Sequence, residues 1–382
     1  MKLAFLVVDN REAFREYEKP EPWFGRAPEA VFQGFIGLPG MEVHVISCTQ
    51  QQMVSPARLS GNMLFHSLHV PKTGWLRTGY QGCIRAVRRK LREIQPDIVH
   101  GQGTERDCAI SAVFSGFPNV LTIHGNMAEL ARLQGSRIGS YGWLSAKLEN
   151  FTLPRTSGVF CNSLYTRDLV SSRQKTTWLL PNPIRLEYFG PSSRTVSREI
   201  PRILNVGVIC PRKRQLEILE LAAKLHAKGK RFKLCFVGLN GGGDYGDRFE
   251  KLFQIAKTQG YAGRLDFMSV ERLVAEMDGS DALLHFPYEE AFGLVVAEAL
   301  SRQLHFFGSR TGGIQDIAAG LSGTDLIDPG DWKGLEDRLE SWLNKPIRPE
   351  AGNAVIMEGR YHPKVIAAKH LEIYRQVLSR PD

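Results

Sequence analysis

Short apolar runs alternate with longer amphipathic stretches along almost the whole chain, and the alternation stops and restarts once. That rhythm predicts βα units and parallel sheets. In the first half the predicted strands are 2–8, 42–48, 97–100, 119–124 and 158–162, with helical stretches at 75–94 and 105–115. In the second half the predicted strands are 202–209, 233–237, 264–267, 282–286 and 304–308, with helices at 215–228, 248–258, 271–277, 293–301 and 332–344. The strand runs are continuously apolar, as expected where both faces of a sheet are covered. The break is Pro181-Asn182-Pro183, followed by a polar stretch to Pro201. Two prolines in three residues stiffen a boundary.

The expected architecture is therefore α/β, with two doubly wound domains in tandem. We place one at 1–183 and the second at 184–362. A terminal helix over 363–382 has no strand to follow and is expected to return to the first domain. The 382 residues suffice for two cores. Ligands of such sheets bind beyond the carboxyl ends of the strands, which predicts a site in an interdomain cleft.

Charge is uneven. The first 183 residues carry 21 basic and 14 acidic side chains, whereas the whole chain carries 49 and 40. An anionic partner is thus expected for the first half. The helical stretch Arg85-Ala-Val-Arg-Arg-Lys-Leu-Arg92 concentrates that charge and makes an anionic membrane surface a candidate partner. No nucleic-acid recognition motif accompanies it. Six scattered cysteines form no CxxC pair, which reads as reduced thiols in a cytoplasmic protein, at most peripheral at the inner face of the membrane. The apolar N-terminal run is too short for a signal peptide, and none approaches a membrane span.

Chemistry concentrates in Pro287-Tyr-Glu-Glu-Ala-Phe-Gly-Leu-Val-Val-Ala-Glu298. A strand ends, a short loop carries Glu290, and a helix is expected to open near Phe292–Gly293. The free N–H groups of such a helix start suit a phosphate, and Gly293 permits close approach. Glu290 and Glu298 would stand roughly 12 Å apart along a helix, too far to share a proton but suited to gripping two ends of an extended ligand. A second cluster, Cys210-Pro-Arg-Lys-Arg214, places three cations ahead of a helix, where they could neutralise a diphosphate.

The Glu-x7-Glu pattern with Phe-Gly-Leu-Val-Val inside it resembles the motif of retaining GT-B glycosyltransferases of family 4. Arg310-Thr-Gly-Gly-Ile-Gln-Asp316, Ile327-Asp-Pro-Gly-Asp331 and Leu180-Pro-Asn-Pro-Ile184 extend the resemblance, with Pro183 where the family usually has glycine. The resemblance implies a GT-B fold of two Rossmann-like domains. It implies that Glu290 contacts hydroxyls of a donor sugar, Glu298 the ribose, and the amides of Phe292, Gly293 and Leu294 the sugar and diphosphate. Lys213 matches a family lysine. The family's arginine falls on Val208, so Arg212 or Arg214 is expected to supply that charge. His124, in Leu121-Thr-Ile-His-Gly125, matches a histidine that lies against the donor sugar. In the loop after the first strand Gly25 alone stands where two glycines are usual, beside Arg26.

The resulting expectation is an enzyme moving a sugar from a nucleotide-diphosphate-sugar, UDP favoured over GDP, to a saccharide or glycolipid hydroxyl in cell-envelope or exopolysaccharide synthesis. Glu290, His124 and Lys213 are its catalytic candidates. Glu298, Arg212, Phe292, Gly293, Leu294 and Gly25 are its donor-binding candidates. No Asp-x-Asp occurs, so no metal cofactor is expected; His66 and His69 with Cys48 make no convincing ligand set. Two alternatives remain: a sugar-nucleotide 2-epimerase and a non-catalytic GT-B-like binding protein.

Overall fold

The computed structural model describes residues 1–191, 199–346 and 352–379. The chain divides into two compact units, Met1–Arg185 with Pro363–Asp382, and Leu186–His362. The boundary falls after Arg185, two residues beyond the one read from the prolines.

Among the described residues the first unit contains β1 (Lys2–Leu6), β2 (Glu42–Thr49), β3 (Arg58–Ser60), β4 (Met63–His69), β5 (Ile98–Gln102), β6 (Asn119–Ile123), β7 (Val159–Cys161) and β8 (Thr177–Leu179). They form one sheet in the order β3-β4-β2-β1-β5-β6-β7-β8, parallel except for the edge strand β3. β1, β5 and β6 are buried almost end to end, as central strands covered on both faces must be. Helices Gln81–Ile94 and Asp107–Val113 cover one face. Helices Arg26–Phe35 and Pro363–Leu378 cover the other, with Phe5, Phe35, Phe160, Ile366 and Tyr374 in the core between. The chain's last helix approaches the earlier one closely: a Cβ on Gly34 would stand 2.3 Å from the Pro363 carbonyl oxygen.

The second unit contains β9 (Arg202–Val206), β10 (Lys233–Val237), β11 (Ala262–Leu265), β12 (Ala282–His285), β13 (His305–Ser309) and β14 (Thr324–Ile327). Its sheet is wholly parallel in the order β11-β10-β9-β12-β13-β14. Counted along the unit this is 3-2-1-4-5-6, the doubly wound order, and the direction of winding reverses between β9 and β12. Ligands of such sheets bind beyond that reversal.

The differences from the sequence reading lie at sheet edges and element ends. β3, β8 and β14 were not predicted; they are edge strands, partly exposed, and lack continuous apolar runs. β4, also unpredicted, alternates instead, and His66 and His69 are placed by it. β11 begins two residues before the predicted 264–267, because Leu234–Val237 of β10 pair with Ala262–Leu265; Phe267 lies beyond the ladder, exposed. The helix expected near Phe292 opens at Leu294, since Gly293 at φ 102° cannot be part of it.

Candidate active site

At the reversal in the second unit two connections face each other. β9 runs into Gly207 and Val208, then into the single turn Pro211–Lys213. Arg214, in the left-handed region at φ 58°, redirects the chain into helix Gln215–Ala227. β12 runs into Phe286–Ala291 and, through Gly293, into helix Leu294–Ser301. The Tyr288 amide donates to the Arg212 carbonyl at 3.2 Å, joining the two. From the far side Ser309 Oγ donates to the Pro287 carbonyl at 2.6 Å and the Gly313 amide to the Glu290 carbonyl at 3.1 Å. Two backbone bonds and one serine hydroxyl thus fix the loop bearing Glu290 on both flanks.

Lys213 Nζ is ion-paired with Glu290 Oε2. His285 Nε2 lies 3.2 Å from the same oxygen. Arg212 Nη1 lies 4.0 Å from Glu290 Oε1 and 3.6 Å from Glu289 Oε2, and donates to the Glu289 carbonyl at 3.2 Å. Burial alone would raise the Glu290 pKa; Lys213, His285 and Arg212 outweigh it and hold the carboxyl well below the usual range. His285, 1% exposed, has its pKa pushed down to about 4, first by burial and then by the Lys213 charge. Lys213 Nζ lies 3.4 Å from the same ring nitrogen, so His285 Nε2 faces both the cation and the carboxylate of the pair.

Arg214 is engaged elsewhere. Its guanidinium donates to the Pro329 carbonyl at 2.5 Å and lies over the rings of Trp332 and Tyr288. Of the two arginines considered for the charge missing at Val208, Arg212 is therefore the one beside Glu290. Val208 itself is 53% exposed. Phe292 buries its ring against Tyr361, leaving Gly293 and Leu294 to open the helix. Glu298 lies farther along that helix and is 1% exposed.

In the first unit His124 follows β6, the strand predicted to deliver it. Its Nε2 lies 2.9 Å from Gln102 Oε1 at the end of β5. Burial pushes its pKa down to about 4. The loop beyond is held by Glu149, fully buried, which accepts the amides of Met127 and Ala128 at 2.8 and 3.2 Å and the Thr104 hydroxyl at 2.9 Å, and pairs with Arg173 at 2.7 Å. Gly25 precedes helix Arg26–Phe35 at φ 84°, a conformation L residues rarely adopt, with Asn10 Nδ2 3.2 Å from where a Cβ would stand. His285, Gln102 and Glu149 were not singled out from the sequence. The only local signal for His285 is a polar residue closing an apolar strand.

Among the described residues, Cys48, Cys83 and Asp107 bring ligand-type atoms within 4.8 Å of one another, all buried. The hydrogen bond with Cys83 and burial raise the Cys48 thiol well above its ordinary value, as burial raises Asp107. The six cysteines are free, five of them buried.

Family models match most of the chain. The model for glycosyltransferase family 4 matches residues 39–188, and that for glycosyl transferases group 1 matches residues 194–358. A search of curated protein sequences found no match. Sucrose-phosphate synthase from Thermosynechococcus elongatus is similar in structure, with a TM-score of 0.80 at 17% identity over 99% of both chains. HepE of Anabaena, solved in complex with UDP, gives 0.71 at 14% identity, over 98% of this chain and 100% of that one. WaaG, a glycosyltransferase involved in lipopolysaccharide biosynthesis, gives 0.66 at 15% identity over 100% of both. The two matched models and the two doubly wound sheets together make this chain a family 4 glycosyltransferase, an enzyme of the GT-B fold.

Proposed function

We propose that the enzyme moves a sugar from a nucleotide-diphosphate donor to a hydroxyl of a saccharide or glycolipid, with retention of anomeric configuration, in cell-envelope or exopolysaccharide synthesis. The observation that carries this reading is the Lys213–Glu290 pair beyond the winding reversal, beside the opening of helix Leu294–Ser301. Lys213 and Arg212 stand ready to neutralise a diphosphate, and the amides of Gly293 and Leu294 to meet its oxygens. Glu290 reads sugar hydroxyls and Glu298 the ribose, the roles the motif implies; His124 lies against the sugar and Gly25 near the phosphates. UDP is favoured over GDP, supported by the structures of Anabaena HepE with UDP and with UDP-glucose.

Retention follows if the acceptor attacks from the face the diphosphate leaves and a phosphate oxygen takes the acceptor proton. Catalysis is then positioning together with charge stabilisation on the leaving group. Side chains and helix amides supply that stabilisation, so turnover needs no divalent ion.

The charge of the first unit suits an anionic partner: Arg85, Arg88, Arg89 and Arg92 are exposed along helix Gln81–Ile94. A groove of about 550 Å³ beside it is lined by His69, Arg85 and Arg89 with no carboxylate. We take this face to meet an anionic membrane surface or acceptor. No described helix is long and apolar enough to cross a membrane.

A thermal-shift screen with UDP, GDP, ADP and their sugars, each with and without EDTA, tests the reading. Stabilisation by a UDP-sugar that is insensitive to EDTA and lost in Glu290→Ala is the expected result. Stabilisation by none of them would refute the donor assignment.

A further inference from the structure

A hydrogen-bond chain runs through the core of the first unit from the last helix to His124. Tyr374 Oη lies 2.6 Å from His100 Nδ1, His100 Nε2 lies 2.9 Å from Gln102 Nε2, and Gln102 Oε1 lies 2.9 Å from His124 Nε2. His100, Gln102 and Tyr374 are buried, and Phe5, Phe160 and His370 enclose them. The direction of the chain follows from the Gln102 amide. As placed, its nitrogen faces His100 Nε2 at 2.9 Å and Thr122 Oγ1 at 3.3 Å, and the Thr122 hydroxyl, 2.7 Å from the same His100 nitrogen, donates to it. Its oxygen is left to accept from His124. His100 then accepts at Nε2 and donates from Nδ1 to Tyr374.

We propose that Gln102 is a positioning residue for His124: through His100 it is anchored to Tyr374 of the C-terminal helix, and it locks the His124 imidazole with the proton on Nε2 and the Nδ1 lone pair offered to a substrate hydroxyl. Among the described residues no protein group hydrogen-bonds Nδ1. The titratable groups along and against the chain are His100, His370 and Tyr374, none a carboxylate, so nothing in it favours an imidazolium. The last helix thereby does more than close the core; its tyrosine sets the tautomer of a ring at the other end of the network. The substrate contact rests on the proposed role of His124, whereas the tautomer does not.

The test uses the full chain labelled with 15N-histidine and long-range 1H–15N correlation spectra, His124 being identified by its loss in His124→Gln. The expected spectrum is a neutral Nε2–H ring titrating near pH 4. Gln102→Leu should abolish the tautomer preference. Gln102→Glu, which keeps an acceptor, should retain Nε2–H and raise the midpoint by about one pH unit or more. A wild-type ring protonated on Nδ1, or a His124 signal indifferent to Gln102→Leu, would overturn the proposal. With UDP-glucose as the probe, Gln102→Leu should lower kcat about tenfold or more while leaving UDP affinity unchanged. Equal loss of both would also overturn it, pointing to a merely structural glutamine. Unaltered turnover in His124→Ala with the expected spectra would instead refute the role of His124 and leave the tautomer assignment standing.

Discussion

Gly312 lies directly against the Glu290 backbone: a Cβ added there would stand 1.7 Å from the Glu290 carbonyl oxygen, and the residue holds φ at +50°. The glycine pair read from the sequence as a motif is thus the surface on which the Glu290 loop rests, and the next amide, that of Gly313, donates to the same carbonyl. Gly312→Ala must displace that loop. We expect a loss of about 2 kcal/mol or more in unfolding free energy, together with a fall in turnover. Wild-type turnover in a folded Gly312→Ala enzyme would mean that the loop position is unimportant.

Lys213 and Glu290 form one electrostatic unit, so each variant removes the partner of the other. Glu290→Ala and Lys213→Ala should each lower turnover by about a hundredfold or more while circular dichroism stays native. The double variant should lose less than the sum of the two single losses, because each single variant also removes the partner that holds the other in place. Additive losses would mean that the ion pair places neither group.

Arg212 already occupies the space beside Glu290, so restoring an arginine at the exposed Val208 position should not tighten donor binding. Calorimetric titration of Val208→Arg with the donor checks this. A clear gain in affinity would show that the charge at that position is missing and uncompensated.

Acid should destabilise the first unit. His100 and His370 are buried neutral, His100 with its pKa held well below 6.5 and His370 with its pKa pushed down to about 4, both chiefly by burial. The unfolded chain binds more protons below pH 6.5, so stability falls as pH drops through 6.5, and for His370 the loss levels off near 4. Each ring contributes up to about 1.4 kcal/mol per pH unit in that window. Glu290 acts at lower pH: its folded pKa is depressed, so its contribution is present above the ordinary carboxylate range and is lost as pH falls below it. Urea unfolding at pH 7.5 and 5.5 checks the histidine effect; equal stability at both would contradict neutral burial.

The core of the fold was legible because central parallel strands must be apolar on both faces, and runs such as Leu3–Val7 and Leu234–Val237 announce that in one dimension. Edge strands such as Thr324–Ile327 were not legible, because one exposed side removes the continuous run. The loop carrying Glu290 was legible as a motif, and Lys213 as a cation ahead of a helix. Their pairing was not, since 77 residues separate them and only the order of strands in the sheet brings the two connections together. His285, Gln102 and Tyr374 carry no signal of their own: a buried polar side chain is defined by its partners, and those partners come from distant strands and from the last helix. The sequence by itself determined two doubly wound units and the segment around Glu290, since periodicity and local turn chemistry are written along the chain. Tertiary structure alone decided which cation meets Glu290 and which nitrogen of His124 is held, because hydrogen bonds between remote residues depend on how the sheets are assembled.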